Sequence, residues 1–172
     1  MKALKNIAII AIVTLTSIIT VSCTHKKPIS PKVETKTISV YFVKKVSPIK
    51  SELFPVNRNV SPGTDILNTA ITQLLQGPSA LEKKQGYYTE IPKKTVVLSI
   101  KETPQEDTIN LSKDFESGGG SESMTKRIKQ LENTALNNSD NKKVYLEISG
   151  KRAAYIGGEG VEITQPLSQS GK

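Results

Sequence analysis

Residues 61–78 read SPGTDILNTAITQLLQGP, and the fold class turns on this stretch. Ile66, Leu67, Ala70, Ile71, Leu74 and Leu75 recur at the spacing of one helical face. Ser61-Pro62 has the form of a helix start, with serine as N-cap and proline at the first helical position. Gly77-Pro78 has the form of a helix stop. On both sides the pattern turns from helical to alternating. Upstream, Ile38 to Val43 (ISVYFV) is β-branched and aromatic, which predicts a strand. Leu53 to Val60 (LFPVNRNV) alternates and predicts a second strand, placed at a sheet edge by Pro55. Downstream, residues 78–94 read as a long connection, followed by strands around Val96, Leu98 and Ile100 and around Ile109 and Leu111. Met124, Ile128, Leu131 and Ala135 predict a second amphipathic helix, opened by a serine at 121 or 123. Val144, Leu146 and Ile148 form a fifth strand, which turns through Ser149-Gly150-Lys151 into a sixth around Ala153 to Ile156. Gly157-Gly158-Glu159-Gly160 and a short strand at 161–163 precede a polar tail. The order ββαββαββ predicts an α/β fold of the α+β type. Two helices cannot cover both faces of such a sheet, so the expected form is a two-layer sandwich, a mostly antiparallel sheet with both helices on one face.

The first 22 residues belong to a different class of sequence. Lys2 and Lys5 precede an apolar run from Ile7 to Val21 that is interrupted by Thr14, Thr16, Ser17 and Thr20. The run is short and impure for a spanning helix, which needs about 20 predominantly apolar residues, and it reads as an export signal over 1–22. Thr20-Val21-Ser22-Cys23 resembles a lipobox, so Cys23 is the expected lipidation site and the membrane anchor. The other reading is an uncleaved signal anchor. Both place everything after residue 23 outside the cytoplasmic membrane. Residues 23–36 read as a Lys/Pro-rich tether. Cys23 is the only cysteine, so no disulfide can staple the exported domain, and its core must hold it.

The net charge is +8, yet most of it lies outside the domain: Lys2 and Lys5 in the leader, and Lys26, Lys27, Lys32 and Lys36 against Glu34 in the tether. A nucleic-acid-binding domain concentrates its excess on the folded part, where it neutralises phosphates. The distribution argues against nucleic acid and for an anionic membrane surface. The single histidine, His25, stands in the tether, which leaves the domain no Ser-His pair and no His-based zinc site. No metal and no cofactor is expected.

The one enzyme-like constellation is Ser123-Met124-Thr125-Lys126 with Ser139-Asp140-Asn141, which looks like the S-x-x-K and S-D-N elements of serine enzymes acting on the cell wall. A single predicted helix separates the two, no K-[ST]-G follows, and the simpler account is a capping serine and a solvated lysine. Ser117-Gly118-Gly119-Gly120-Ser121 lacks the Gly-Lys-Ser/Thr of a phosphate loop, although its amides precede a helix N-terminus. The expected partner-contact residues are Arg58 on its strand, Tyr87 and Tyr88 in the long connection, and the Gly118, Gly119 and Gly120 loop.

Taken in order, Val40–Val43 (VYFV), Phe54–Arg58 (FPVNR), Ala70–Pro78 (AITQLLQGP) with Glu82, Thr89–Pro92 (TEIP), Ile109–Ser112 (INLS) with Phe115, Val144–Gly150 (VYLEISG) and Gly157–Gly160 (GGEG) resemble the GerM domain of sporulation and spore germination lipoproteins. The resemblance covers residues 37–167 and leaves 168–172 as a polar tail. It implies a non-enzymatic α/β module, similar to ring-building domains that assemble envelope machinery, in a lipid-anchored protein on the outer side of the cytoplasmic membrane. It carries no catalytic residues. The family often has an arginine after its final proline-hydrophobic pair, whereas Pro166-Leu167 is followed here by Ser168-Gln169. The expected function is protein–protein assembly in the cell envelope. The alternatives are an exported module for a small ligand or peptidoglycan, using the Tyr87-Tyr88 and Gly118–Gly120 loops, and a serine-type cell-wall enzyme.

Overall fold

The computed structural model describes residues 35–141, 143–158 and 160–168. The signal over 1–22, Cys23, the tether up to residue 34, Glu159 and the tail from 169 lie outside the described residues.

Strands β1 (Lys36–Ser47) and β2 (Lys50–Val60) form a long antiparallel hairpin, with Val40 opposite Val56 and Phe42 opposite Phe54. Ile38, Val40 and Phe42 point inward and are fully buried. Both strands run past their predicted apolar cores. Lys44 and Lys45 pair with Glu52 and Ser51 through the backbone, which needs no apolar side chain. As Pro55 requires, β2 lies at a sheet edge.

Helix α1 (Ile66–Gln76) buries Leu67, Ala70, Ile71 and Leu74, the face read from the sequence. Its start differs from the Ser61-Pro62 expectation. Ser61 to Thr64 form a turn in which Gly63 has φ 77°, a left-handed conformation that a helix cannot contain, so the helix begins after it. The cap is Asp65, whose carboxylate accepts the Asn68 N–H at 2.9 Å. Gly77 ends the helix as expected, its N–H donating to the Leu74 carbonyl at 3.0 Å.

The connection over 78–94 holds two further elements. Helix α2 (Ala80–Lys84) is closed by a capping box of Ser79 and Glu82, and β3 (Tyr87–Tyr88) adds to the free side of β1, with Val43 opposite Tyr88. Five and two residues are too short to show a period. Beyond them, β4 (Val97–Glu102) and β5 (Asp107–Leu111) pair antiparallel, and β5 pairs in parallel with β6 (Val144–Ile148). The parallel pair follows from the crossover through α3 (Ser121–Asn138). β7 (Lys151–Arg152) extends this sheet, while β8 (Tyr155–Ile156) pairs with β9 (Val161–Glu162), so the sixth predicted strand divides around Ala153 and Ala154. The strand orders are β2-β1-β3, β4-β5-β6-β7 and β8-β9. The result is a mixed α/β fold of mostly antiparallel strands with few helices, as the sequence implies. Phe42, Leu74, Phe115, Leu131 and Leu146 share one core cluster.

Helix α3 carries two buried stripes. Met124, Ile128, Leu131 and Ala135 enter the core as predicted. Beside them Arg127, Gln130, Thr134 and Asn138 are buried as well, although all four are polar. This second stripe lies along the side of β1 that β2 does not cover. The Tyr41 N–H donates to Thr134 Oγ1 at 3.0 Å, and Gln130 Nε2 donates to the Tyr41 carbonyl at 3.1 Å. The Ser39 N–H donates to Asn138 Oδ1 at 3.0 Å, and Asn138 Nδ2 donates to the Ser39 carbonyl at 2.7 Å. Side chains of a helix thus stand where a neighbouring strand would otherwise pair. Asn138→Leu removes the partners of both backbone groups of Ser39, and a buried polar group left unpaired costs about 1–3 kcal/mol. The urea midpoint of the variant should fall accordingly; an unchanged midpoint would mean that water serves this edge equally well.

Candidate functional site

The residues singled out in the sequence fall into three groups. Arg58 turns inward. Its Nε and Nη2 donate to the two carboxylate oxygens of Glu82 at 3.2 and 2.6 Å, and its Nη1 donates to Gln73 Oε1 at 3.0 Å. The guanidinium also lies 5.4 Å from the centre of the Phe42 ring. Burial raises the Glu82 carboxyl, but hydrogen bonds from Arg58 and the Ser79 amide, with the guanidinium charge, bring it below its ordinary value. The planar fork of arginine matches a carboxylate bidentately, so Arg58 joins β2, α1 and α2 instead of projecting from its strand.

Tyr87 and Tyr88 are half-buried on β3. Tyr87 packs against the core with Lys44 Nζ 4.9 Å from its ring centre. From Tyr88 the chain runs into Glu90, which the sequence reading did not single out. The Glu90 N–H donates to Gln130 Oε1 at 2.9 Å, its carbonyl accepts from Arg127 Nε at 3.0 Å, and its carboxylate accepts from Ser123 Oγ at 2.7 Å.

Arg127 is 2% exposed and also donates to the Phe115 and Gly118 carbonyls at 2.6 and 2.8 Å. Burial pushes its pKa down, and the nearby Glu90 charge opposes that shift. Through Arg127 the glycine loop is fastened to the segment that follows Tyr88. Gly119 must be glycine, since a Cβ there would stand 2.7 Å from Ser123 Oγ and its φ is +87°. Gly120 caps α3. The structure therefore brings Tyr88, Glu90, Ser123 and the Gly118–Gly120 loop into one connected cluster and leaves Arg58 outside it. Sequence reasoning missed Arg127 and Gln130 because polar residues on a helix read as a solvated face, and Glu90 because it lies outside any periodic segment. The one available signal was their spacing, since 127, 130, 134 and 138 trace a second stripe.

The serine-enzyme constellation does not assemble. Ser123 lies within the first turn of α3, not at its cap, and Lys126 pairs with Glu122. At the other end of the helix, Ser139 Oγ donates to the fully buried Asp107, and Asn141 Nδ2 donates to the same carboxylate at 2.7 Å. At about 1.5 Å per residue, Ser123 and Ser139 are roughly 24 Å apart along the helix axis. Ser139 and Asn141 therefore fasten the exit of α3 to the start of β5.

Two of the surface clefts lie beside these elements. One, of about 450 Å³, is lined by Lys113, Asp114, Glu116, Ser117, Tyr155 and Gly157, with Tyr155 61% exposed at its side. The other, about 140 Å³, lies between α3 and β9 and is lined by Thr125, Lys129, Glu132, Val161, Glu162 and Thr164. Among the described residues, no group of three or more His, Cys, Asp or Glu could hold a metal ion, and no helix is long and apolar enough to cross a membrane.

Glu132 is buried, and burial pushes its carboxyl up to about 7 against a partial opposing pull from Lys129. A carboxyl raised in the folded state favours its protonated form there. Its contribution is present in full below the unfolded value near 4.5 and is lost as pH rises through about 7. Glu132→Gln should therefore match the parent near pH 4 and exceed it at pH 8 by up to about 3 kcal/mol. Urea unfolding at the two pH values checks this, and a pH-independent difference would place the carboxyl in water.

A family model described as Germane, sporulation and spore germination, matches residues 39–154. No curated protein matches the sequence. Among solved structures, the tandem GerMN domains of the sporulation protein GerM from Bacillus subtilis are similar at TM-score 0.60 and 20% identity, over 78% of this chain and 46% of that one. The chain thus corresponds to less than half the length of the tandem structure. The first GerMN domain of the same protein is similar at TM-score 0.57 and 19% identity, over 80% of this chain and 100% of that one. These likenesses give the fold. With more than half of its length covered by the family model, the chain belongs to the Germane family of sporulation and spore germination domains, the GerM-like group that its sequence resembles.

Proposed function

We propose that this chain is an exported, lipid-anchored, non-catalytic envelope protein whose GerM-like domain mediates protein–protein assembly. One observation carries the reading: the serines that could perform chemistry are hydrogen-bonded within the fold, while Arg127 and Gln130 fasten the surface segments beside them. Ser123 is hydrogen-bonded to Glu90, Ser139 and Asn141 to Asp107, and Lys126 pairs with Glu122 on the helix surface. Tyr87, Tyr88 and the Gly118–Gly120 loop flank this framework and supply aromatic and backbone groups to a partner. The similar structures come from a sporulation protein and share the fold, and the assembly role is what the family resemblance implies for this chain.

Anchoring rests on Ser22-Cys23 at the end of a short apolar run. A single acyl chain gives marginal binding and stable anchoring takes two signals; lipoprotein diacylglyceryl modification supplies two chains. Cys23→Ala should release the full-length protein from membranes and block its processing. Equal membrane retention with unchanged processing would favour an uncleaved signal anchor.

A second reading, binding of a small ligand or peptidoglycan fragment, draws on the 450 Å³ cleft, where the exposed Tyr155 faces charged groups of Lys113, Asp114 and Glu116. Cross-linking in cells distinguishes the two. On the assembly reading, Ser123→Ala leaves adducts intact and only removes a charged hydrogen bond worth about 1.5–3 kcal/mol. Joint replacement of Tyr87 and Tyr88 abolishes the adducts while the domain stays folded. Loss of function in a well-folded Ser123→Ala protein, with the tyrosines silent, would contradict the assembly reading. Saturable binding of soluble peptidoglycan fragments that Tyr155→Ala removes would favour the second.

A further inference from the structure

The turn between β1 and β2 exposes apolar side chains that the domain has no use for. Ile49 is 98% exposed and Val46 is 46% exposed, and Pro48 stands between them on the open tip. Ile49 is the barest large hydrophobic among the described residues; Leu81 and Leu98 stand at 67% and 51%. Lysines flank the tip: Lys45 and Lys50 are exposed, and Lys44 follows toward the base of the turn, where it lies against Tyr87. Among the described residues, Lys50 pairs with Glu52 across a solvent-exposed bridge. Such a bridge is weak in water and yields readily to a denser array of anions.

We propose that this hairpin tip is a membrane-contact loop that seats Ile49 and Val46 in the interface of an anionic lipid surface, with Lys44, Lys45 and Lys50 among the headgroups. The proposal rests on the reading of the chain as an exported lipoprotein and names a second, noncovalent contact with the same membrane. Charge and shape agree with that occupant. An apolar tip ringed by lysines matches a surface with an apolar interior and anionic headgroups. Burying one large aliphatic side chain favours partitioning roughly ten- to hundredfold, and each lysine near an anionic surface adds roughly fivefold. Reach also permits it. The stretch from Cys23 to Lys36 can span at most roughly 45 Å when extended, against about 40 Å for the 12 residues of β1 that lead to the tip. A chain anchored at Cys23 can therefore bring the tip to the membrane that holds the anchor.

The sequence contains no tryptophan, so Ile49→Trp installs a single reporter at the tip. The full-length Ile49→Trp protein is mixed with excess vesicles of phosphatidylglycerol and phosphatidylcholine, and with vesicles of phosphatidylcholine alone. Expected are a blue-shifted emission and quenching by acyl-brominated lipids on the anionic vesicles. The shift should be weaker on the neutral ones and diminished in 1 M salt. Adding Lys45→Gln and Lys50→Gln should raise the lipid concentration needed by at least about tenfold. Leu98→Trp, an exposed apolar site away from the hairpin, should keep a water-exposed emission. A water-exposed emission from Ile49→Trp, or equal shifts from the two reporters, would overturn the proposal. Mass spectrometry of Cys23 in the same preparation separates the two levels. An intact lipid with a water-exposed tip removes this proposal alone, and an unmodified Cys23 with a lipid-embedded tip removes the anchoring reading alone.

Discussion

The polar stripe of α3 against the free edge of β1 is the constraint on which the rest of the structure depends. A strand paired on one side presents a row of unsatisfied amides and carbonyls on the other, and proteins must cover or blunt such edges. Here β3 covers only Val43 and Lys44, and Gln130, Thr134 and Asn138 serve Tyr41 and Ser39. The helix is thereby fixed in rotation as well as position, because hydrogen bonds are directional where apolar contacts are not. Rotation by one residue would withdraw Gln130 and Thr134 from the strand and lift Leu131 from the core.

That fixed rotation determines the surface. With Gln130 on Tyr41, the next turn toward the helix start directs Arg127 to the Glu90, Phe115 and Gly118 carbonyls. Glu90 in turn holds Ser123 and sets the exit of β3. The aromatic pair and the glycine loop owe their relative placement to one helix face. The same helix holds the two serine-enzyme elements at its opposite ends. A surface whose parts are oriented in advance loses little freedom on binding, which suits an assembly module.

Much of this was legible in the sequence. The apolar faces of α1 and α3, the Gly77 stop, the edge position of β2 and the strand at 144–148 follow from spacing and from the backbone limits of proline and glycine. Four features were not. Gly63 displaced the start of α1 from a serine-proline pair to Asp65, because a left-handed residue overrides a favourable cap. α2 and β3 were too short to show a period. The buried role of Arg127, Gln130, Thr134 and Asn138 was hidden because the residue types of a solvated face also suit a strand edge. Arg58 and Glu82, both among the residues that carry the family resemblance, proved to be partners in one ion pair. A sequence alone cannot join two positions so far apart in the chain.

The claim that α3 completes the β1 edge is tested most directly by amide hydrogen exchange at Ser39 and Tyr41 in the intact protein. If the side chains of Asn138 and Thr134 hold these amides, they exchange only through cooperative opening, as slowly as the β1 amides bonded to β2. Exchange at the rate of an uncovered strand edge, with the β2-bonded amides still protected, would contradict the account.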